Sequence, residues 1–291
     1  MPSPLLVIVG ETASGKSGLA LELALRLNGE IISADSWAVY KGFDIGTAKP
    51  SQSERAAVAH HLLDVAEADE GFNAVKFQRL ANAAIKDIAR RGKLPILVGG
   101  TGLYIDSVIY DYRFLPPTDP SLRSELNNLS LAELLERAQR QQLDTSGIDI
   151  RNKRRVIRLI ENAGRLPGRQ ELRANTLILG LPTIREELRE RIEGRVDHML
   201  VAGLETEVSG LASKYGWEVE PMKGIGYKEW QAYLLGTQDM ATTRQKIIRN
   251  SLELAKRQRT WFKRNSSIQW IDNRGDLHLI VALVTTQLNK L

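Results

Sequence analysis

The chain has 291 residues and a net charge of +5, and its 43% of hydrophobic residues is typical of a globular protein with an ordinary core. Because cysteine is absent, disulfides, thiolate zinc sites and a cysteine nucleophile are excluded. No apolar run approaches the roughly 18 residues that cross a bilayer, and the first residues lack the pattern of a secretion signal, so we expect a cytoplasmic protein.

A phosphate-binding motif lies between the first predicted strand and the first predicted helix. Apolar residues 5–9 indicate a buried strand, and leucines spaced by four over 19–27 indicate a helix. Residues 10–17 have the sequence Gly-Glu-Thr-Ala-Ser-Gly-Lys-Ser, which fits G-x-x-x-x-G-K-[ST]. Inward backbone N–H groups, the helix N-terminus and Lys16 would hold a di- or triphosphate, and Ser17 would hold Mg²⁺. The predicted phosphate-binding residues are Gly10, Thr12, Ala13, Ser14, Gly15, Lys16 and Ser17.

Polar residues follow the next two predicted strands. Residues 30–34 indicate the second strand, which ends at Asp35. After a predicted helix over 73–91, residues 94–98 indicate another strand, which leads into Thr101. This alternation predicts an α/β fold, a parallel sheet of the P-loop nucleoside-triphosphatase type with helices on both faces. The carboxyl ends of parallel strands meet at one edge, so Asp35 and Thr101 should lie near the phosphate loop.

Two features of these strand ends indicate the chemistry. Asp35 would accept a proton or a hydrogen bond from an acceptor substrate, although an aspartate here also suits a cap of the following turn. The strand at 94–98 ends without the Asp or Glu that helps to position Mg²⁺ in many ATPases. The loop is therefore predicted to hold a diphosphate leaving group or a phosphoryl donor, and not an ATP whose hydrolysis drives motion.

A proline-rich segment at 115–120 interrupts the alternation, and helical patterns alone follow it up to about residue 165. We therefore predict a helical insertion over 116–173 in a P-loop catalytic core formed by 1–115 and 174–291. The later part of the core has predicted strands at 176–181 and 268–271 and predicted helices over 184–202 and 241–263.

Basic residues are concentrated in two segments. Residues 151–173 contain eight basic and two acidic residues, and residues 244–264 contain eight and one. Such segments on a phosphate-binding scaffold suggest a polyanionic partner, although solvated helix faces would give the same pattern. In the second segment, four basic residues at helical spacing share one face: Arg249, Lys256, Arg259 and Lys263.

Eight motifs occur in one order over essentially the whole chain. The longest, at 40–50, is Tyr-Lys-Gly-Phe-Asp-Ile-Gly-Thr-Ala-Lys-Pro. The others are residues 10–17, 32–36, 60–64, 98–101, 154–158, 224–228 and 255–262. In this order they resemble bacterial tRNA dimethylallyltransferases, also called tRNA isopentenyltransferases.

The resemblance implies transfer of a dimethylallyl group from dimethylallyl diphosphate to the exocyclic amine of the adenine 3′ of the tRNA anticodon, with Mg²⁺ and release of diphosphate. Asp35 matches the family's general base, Arg195 matches an arginine that binds the donor diphosphate, and the insertion matches the domain that closes on the anticodon stem-loop. The partners implied are tRNA and dimethylallyl diphosphate, without a membrane, and we expect a monomer. Positions that match tRNA contacts are Asp35, Ser36, Trp37, Ala38, Thr101, Arg123, Arg154, Arg155, Arg158, Lys223, Gly226, Tyr227 and Lys228.

The chain departs from the family pattern at two places. Glu11 stands where the family usually has proline, and a negative side chain beside a diphosphate is unexpected there unless it points outward. Residues 149–151, Asp-Ile-Arg, replace the usual His-Pro-Asn before the arginines of the insertion. His60 and His61 match the family, and we expect them to serve packing or hydrogen bonding.

Three alternatives share part of this pattern. A P-loop small-molecule kinase would have the same loop and a lid-like insertion, but it would not need two basic segments and would transfer phosphate from ATP. An isopentenyltransferase that acts on free adenine nucleotides would have no use for the basic residues at 154–158. A non-enzymatic RNA-binding protein would have no need of a Gly-Lys-Ser loop. Labelled dimethylallyl diphosphate offered with tRNA or with AMP separates these functions.

Overall fold

The computed structural model of the protein describes residues 3–116, 118–271 and 276–288. Within these ranges, no helix is both long and apolar enough to cross a membrane.

The chain forms two compact units. The core unit consists of Met1–Ile109 and Leu172–Leu291, and the inserted unit consists of Tyr110–Glu171. The insertion that the sequence predicts, 116–173, overlaps the inserted unit and begins later along the chain. Pro117, part of the proline-rich segment, lies outside the described residues.

The core unit is built on a sheet in which every strand pair is parallel. In the described part of the chain this sheet has six strands, in the order β3-β2-β4-β1-β5-β6. The predicted α/β fold with a parallel sheet is therefore confirmed. The strands are β1 Leu5–Gly10, β2 Gly29–Ser33, β3 His60–His61, β4 Leu94–Gly99, β5 Thr176–Leu181 and β6 Ile268–Trp270.

Helices cover both faces of this sheet. On one face, helices α1 and α12 pack against Leu6 and Ile8 of β1. Val7 and Val9 alternate with them along the strand, so they point to the other face, and both are fully buried. Helices α3, α4 and α11 also contact the sheet. The helices of the core unit are α1 Lys16–Arg26, α2 Gln52–Ala57, α3 Ala74–Arg90, α4 Gly102–Ile109, α8 Arg185–Val201, α9 Leu204–Tyr215, α10 Gln231–Leu234, α11 Met240–Phe262 and α12 Leu277–Leu288.

The edge strand β3 has only two residues, and hydrogen bonds of its histidine rings secure it. The His61 ring lies 2.7 Å from a carboxylate oxygen of Glu30 on β2, and the His60 ring lies 2.8 Å from the carbonyl oxygen of Val58. Glu30 also pairs with Arg91. The structural role expected for both histidines agrees with these contacts.

The inserted unit is helical, with α5 Pro120–Asn128, α6 Leu131–Arg140 and α7 Lys153–Glu161. Its apolar centre contains Leu126, Leu134 and Ile157, all of them at most 1% exposed. The stripes of apolar residues in this sequence segment are thus buried within the unit itself.

Candidate active site

The phosphate loop connects β1 to α1, as its sequence predicts. A Cβ at position 10 would lie 2.6 Å from the Oγ of Ser14, so any larger residue there would force Ser14 to move. Gly15 has a φ of +89° and is the N-cap of α1, a conformation that a side chain would strain. The loop thus brings the N-terminus of α1, whose dipole favours anions, to the carboxyl end of β1.

Lys16 lies inside this loop, and its Nζ donates to the carbonyl oxygen of Glu11 at 3.0 Å. Burial and, second, the charge of Arg195 lower the pKa of Lys16 to about 8, although Asp35 and Glu11 act in the opposite direction. A phosphate group in the loop would supply the missing negative charge and raise this pKa again.

We expect the affinity of the site for diphosphate to fall as the pH rises above about 8, where Lys16 loses its proton. The free energy of unfolding, in contrast, increases with pH in this range. An unfolded chain keeps Lys16 protonated up to its ordinary pKa of 10.5, so this group makes folding more favourable as the pH rises from about 8 to 10.5. The affinity for diphosphate is measured as the inhibition constant of pyrophosphate from about pH 8 to 10.5.

Pyrophosphate itself titrates in this range, so the matched variant is Lys16→Met. We expect the variant to bind pyrophosphate more weakly, and its affinity should vary with pH only through the titration of pyrophosphate itself. Equal pH profiles for the wild type and the variant would contradict a titrating Lys16.

Glu11 points into the protein and not outward, so its charge is accommodated in another way. Its side chain is buried, with 4% of the residue exposed. Arg259 of α11 pairs with both carboxylate oxygens, and the hydroxyl of Thr183 donates to one of them at 3.0 Å. Arg259 therefore neutralises Glu11, and it does not belong to the solvated face on which Lys256 and Lys263 are exposed.

Asp35 follows β2 and organises the turn after it. Its Oδ1 accepts the N–H groups of Trp37 and Ala38 at 2.8 and 3.2 Å. The N–H of Ser36 donates to the Oγ1 of Thr101 at 3.1 Å, which joins this turn to the end of β4. Asp35 is thus a turn cap through Oδ1, and in the described part of the chain no hydrogen bond is found to Oδ2. The second oxygen of the same carboxylate can serve a substrate.

Arg195 of α8 approaches the phosphate loop from the other side. Its two Nη atoms donate to the Oγ1 of Thr12 at 3.5 Å and to the carbonyl oxygen of Thr47 at 3.4 Å. Burial lowers its pKa and the charge of Asp35 raises it, but an arginine remains cationic in proteins. The site therefore holds a permanent positive charge beside the titratable one of Lys16.

A cavity of about 230 Å³ in the core unit joins these groups. Lys16, Ser17, Asp35 and Arg195 all line it. Its apolar lining includes Ala38, Ile192, Val196, Met199, Ile247 and Leu254. The cavity thus combines the cations Lys16 and Arg195, the carboxylates of Asp35 and Glu54, and an apolar wall, which suits an anionic group attached to a small hydrocarbon.

The residues predicted to contact RNA near 223–228 have different surroundings. Lys223 and Lys228 are exposed, and Gly226 lines the cavity. Tyr227 is 1% exposed, and its hydroxyl donates to Glu207 at 2.7 Å. Its side chain packs inside the core unit and is not presented to a partner.

Four arginines predicted to contact RNA lie in the inserted unit. Arg123 and Arg158 both pair with the carboxylate of Glu161, whose side chain is fully buried. Arg154 and Arg155 are exposed on α7. The first two arginines are therefore engaged with Glu161, and the last two lie at the surface of the unit.

Glu207 of α9 is a residue that the sequence analysis missed. It accepts the backbone N–H groups of residues 44–46 at 2.7 to 3.1 Å, in addition to the hydroxyl of Tyr227. A Cβ at Gly46 would lie 2.5 Å from the Tyr227 ring. Glu207 and Tyr227 thus hold the long motif at 40–50 against the cavity. One glutamate on an amphipathic helix gives no signal of this role in a single sequence.

Comparisons with known proteins agree with this geometry. A family model described as IPP transferase matches residues 38–265. The tRNA dimethylallyltransferase of Desulforudis audaxviator is 44% identical over 94% of this chain and 93% of its own length, and that of Anoxybacillus flavithermus is 43% identical over 95% and 92%. The crystal structure of a tRNA isopentenylpyrophosphate transferase from Bacillus halodurans is 36% identical, covers 99% of this chain and 98% of its own, and has a TM-score of 0.78.

A eukaryotic dimethylallyltransferase described as acting on tRNA has the same TM-score of 0.78 at 27% identity, over 93% of this chain and 74% of its own. The bacterial relatives match this chain over nearly their whole length, so the likeness includes both units. With its phosphate loop, its aspartate and these matches, the chain belongs to the IPP transferase family of tRNA dimethylallyltransferases.

Proposed function

We propose that this protein transfers a dimethylallyl group from dimethylallyl diphosphate to the exocyclic amine of the adenine 3′ of a tRNA anticodon. The observation that carries the proposal is the shared cavity, in which Lys16 and Arg195 lie at the same site as Asp35. The relatives named tRNA dimethylallyltransferase support the same chemistry.

The donor diphosphate would bind at the phosphate loop. The N-terminus of α1, Lys16 and Arg195 would neutralise the charge that develops on the leaving group as the allylic C–O bond breaks. The dimethylallyl tail would lie along apolar residues of α8 and α11 such as Val196 and Ile247. This arrangement excludes water from the allylic carbon and favours transfer over hydrolysis.

The residues of the loop also fit Mg²⁺. Ser17 lines the cavity in the first turn of α1, and among the described residues no group of three acidic or histidine side chains could hold a metal alone. Mg²⁺ usually keeps water and substrate phosphates as ligands, so it needs few ligands from the protein. Ser17 would hold the ion on the diphosphate, where it would supply further positive charge to the leaving oxygens.

The acceptor adenine would present its amine to Asp35. The amine of a purine is a weak nucleophile, so a base that takes its proton as the C–N bond forms accelerates transfer. In the balanced reaction the proton passes to Asp35, and the diphosphate departs with the electron pair of the broken C–O bond. The adenine would have to leave the anticodon-loop stack to reach this cavity.

The inserted unit would bind the anticodon stem through its surface arginines. We expect the double variant Arg154→Ala, Arg155→Ala to bind all substrate tRNAs more weakly, by a similar factor for each. The slope of log affinity against log salt concentration should become shallower by about one to two units. The measurement is tRNA affinity across a salt series.

The matched control for this variant is Arg158→Ala, which removes a partner of Glu161 inside the unit. We expect this control to change the stability of the protein more than its salt slope. Parallel salt slopes for the wild type and the double variant would mean that Arg154 and Arg155 form only a solvated helix face.

The test of the function is incubation with allyl-labelled dimethylallyl diphosphate and tRNA that lacks this modification, followed by nucleoside analysis. We expect label on the adenine 3′ of the anticodon and release of pyrophosphate. Label on AMP in a parallel reaction would favour an adenine-nucleotide isopentenyltransferase. Release of ADP from added ATP in proportion to product would favour a kinase.

A further inference from the structure

The side chain of Gln258 joins the two halves of the candidate site. Its Oε1 accepts the backbone N–H of Thr12 in the phosphate loop at 2.7 Å. Its Nε2 donates to the carbonyl oxygen of Gly100, just after β4, at 3.1 Å. A Cβ at Gly100 would lie 2.3 Å from this Nε2, so the glycine permits the close approach. Gln258 also lines the cavity.

Two neighbours of Gln258 on α11 contact the same two segments. Arg259 pairs with Glu11 in the phosphate loop. The indole N–H of Trp261 donates to Asp106 of α4 at 3.0 Å, and a Cβ at Gly102 would lie 2.4 Å from the Trp261 ring. The last turns of α11 therefore support both the phosphate loop and the segment after β4. Of these three side chains, Gln258 is the one that hydrogen-bonds to the backbone of both.

The contact at Gly100 leads on to Asp35. The next residue, Thr101, donates its N–H to the carbonyl oxygen of Ala34 at 3.3 Å, and its Oγ1 accepts the N–H of Ser36 at 3.1 Å. Ala34 and Ser36 are the residues on either side of Asp35. A continuous series of hydrogen bonds thus runs from the phosphate loop through Gln258 to the turn that carries the carboxylate.

Only a glutamine suits both of these contacts. Its amide has an acceptor and a donor at a fixed separation, and here the acceptor meets an N–H while the donor meets a carbonyl. A glutamate could not donate to Gly100, and an asparagine is one methylene too short to reach both partners. The chemistry of the side chain therefore specifies the distance between the two backbone segments.

We propose that Gln258 is a positioning residue that sets the distance between the diphosphate leaving group and the base Asp35. The proposal rests on the proposed function, because it concerns the alignment of donor and acceptor in that reaction. A misplacement of about 1 Å between reacting groups can slow an enzyme by about 10²-fold without a change in what it binds.

The test compares Gln258→Asn with Gln245→Asn, the same substitution at an exposed position of the same helix. We expect Gln258→Asn to lower the single-turnover rate at saturating substrates by about 10- to 100-fold. The inhibition constant of pyrophosphate and the tRNA dissociation constant should each stay within about threefold of the wild type. The Gln245→Asn variant should match the wild type in all three measurements.

A merely structural role would give another result, in which the loss of rate follows the loss of folded protein or of affinity for one substrate. A rate within about twofold of the wild type, or a loss explained by either binding constant, overturns the proposal. If Gln258→Asn does not fold, Gln258→Glu keeps the side-chain volume and the acceptor for Thr12, and it must still show slow transfer with unchanged tRNA affinity. Failure of the wild type to prenylate tRNA would instead refute the proposed function.

Discussion

Replacement of Asp35 by asparagine is expected to slow turnover at saturating substrates by about 10²–10⁴-fold, because it removes the carboxylate that we propose as the base for the adenine amine. The asparagine Oδ1 can still accept the N–H groups of Trp37 and Ala38, so the turn after β2 should keep its shape. Affinity for tRNA and for pyrophosphate should therefore change little. The measurement is a single-turnover rate with saturating tRNA and donor.

The matched control for this variant is Asp69→Asn, which makes the same change at an exposed position of the core unit. We expect the control to transfer at the wild-type rate. Near-full turnover of Asp35→Asn would mean that Asp35 is only the cap of its turn and that the base lies elsewhere.

Replacement of Arg259 by alanine is expected to destabilise the protein by up to about 3 kcal/mol, since a buried carboxylate left without its partner is strongly unfavourable. Glu11 would then keep a negative charge beside the phosphate loop, so pyrophosphate should also bind more weakly. In the double variant with Glu11→Gln no carboxylate is left unpaired, and we expect much of both losses to be restored. Urea unfolding and pyrophosphate inhibition of the four proteins form a double-mutant cycle.

Arg257→Ala serves as the control for this cycle, because Arg257 is an exposed residue two positions earlier on the same helix. It should lower neither stability nor pyrophosphate affinity. Additive effects of the Glu11 and Arg259 substitutions would show that the two residues act independently, in spite of the ion pair between them.

The strands and the phosphate loop could be predicted from the sequence because their signals are local. Runs of apolar residues mark each longer strand, and the strand bounds at 176–181 agree to the residue. Strand β3 escaped prediction, because two residues are too few for a periodic pattern. Asp35 and Thr101 were predicted to converge from strand ends alone, and the contact between Ser36 and Thr101 joins their turns.

The surroundings of single side chains could not be predicted in this way. The direction of Glu11 depends on Arg259, which lies 248 residues later in the chain. Tyr227 matched an RNA-contacting position, yet its ring is buried in the core and its hydroxyl donates to Glu207. In each case the decisive partner comes from another helix, and no spacing within one segment reports it.

The contacts of α11 with the phosphate loop also bear on how the protein is made. Thr12 and Gln258 are separated by 246 positions, so at about 5–20 residues per second the ribosome completes the loop about 10 to 50 s before it reaches the helix that supports it. During that interval the nascent core has its first strand and its glycines without Gln258 or Arg259, and Glu11 has no guanidinium to pair with. The contacts that support the phosphate loop are thus completed late in synthesis, after every described strand except β6 has been made. Chains released before residue 258 would lack these contacts.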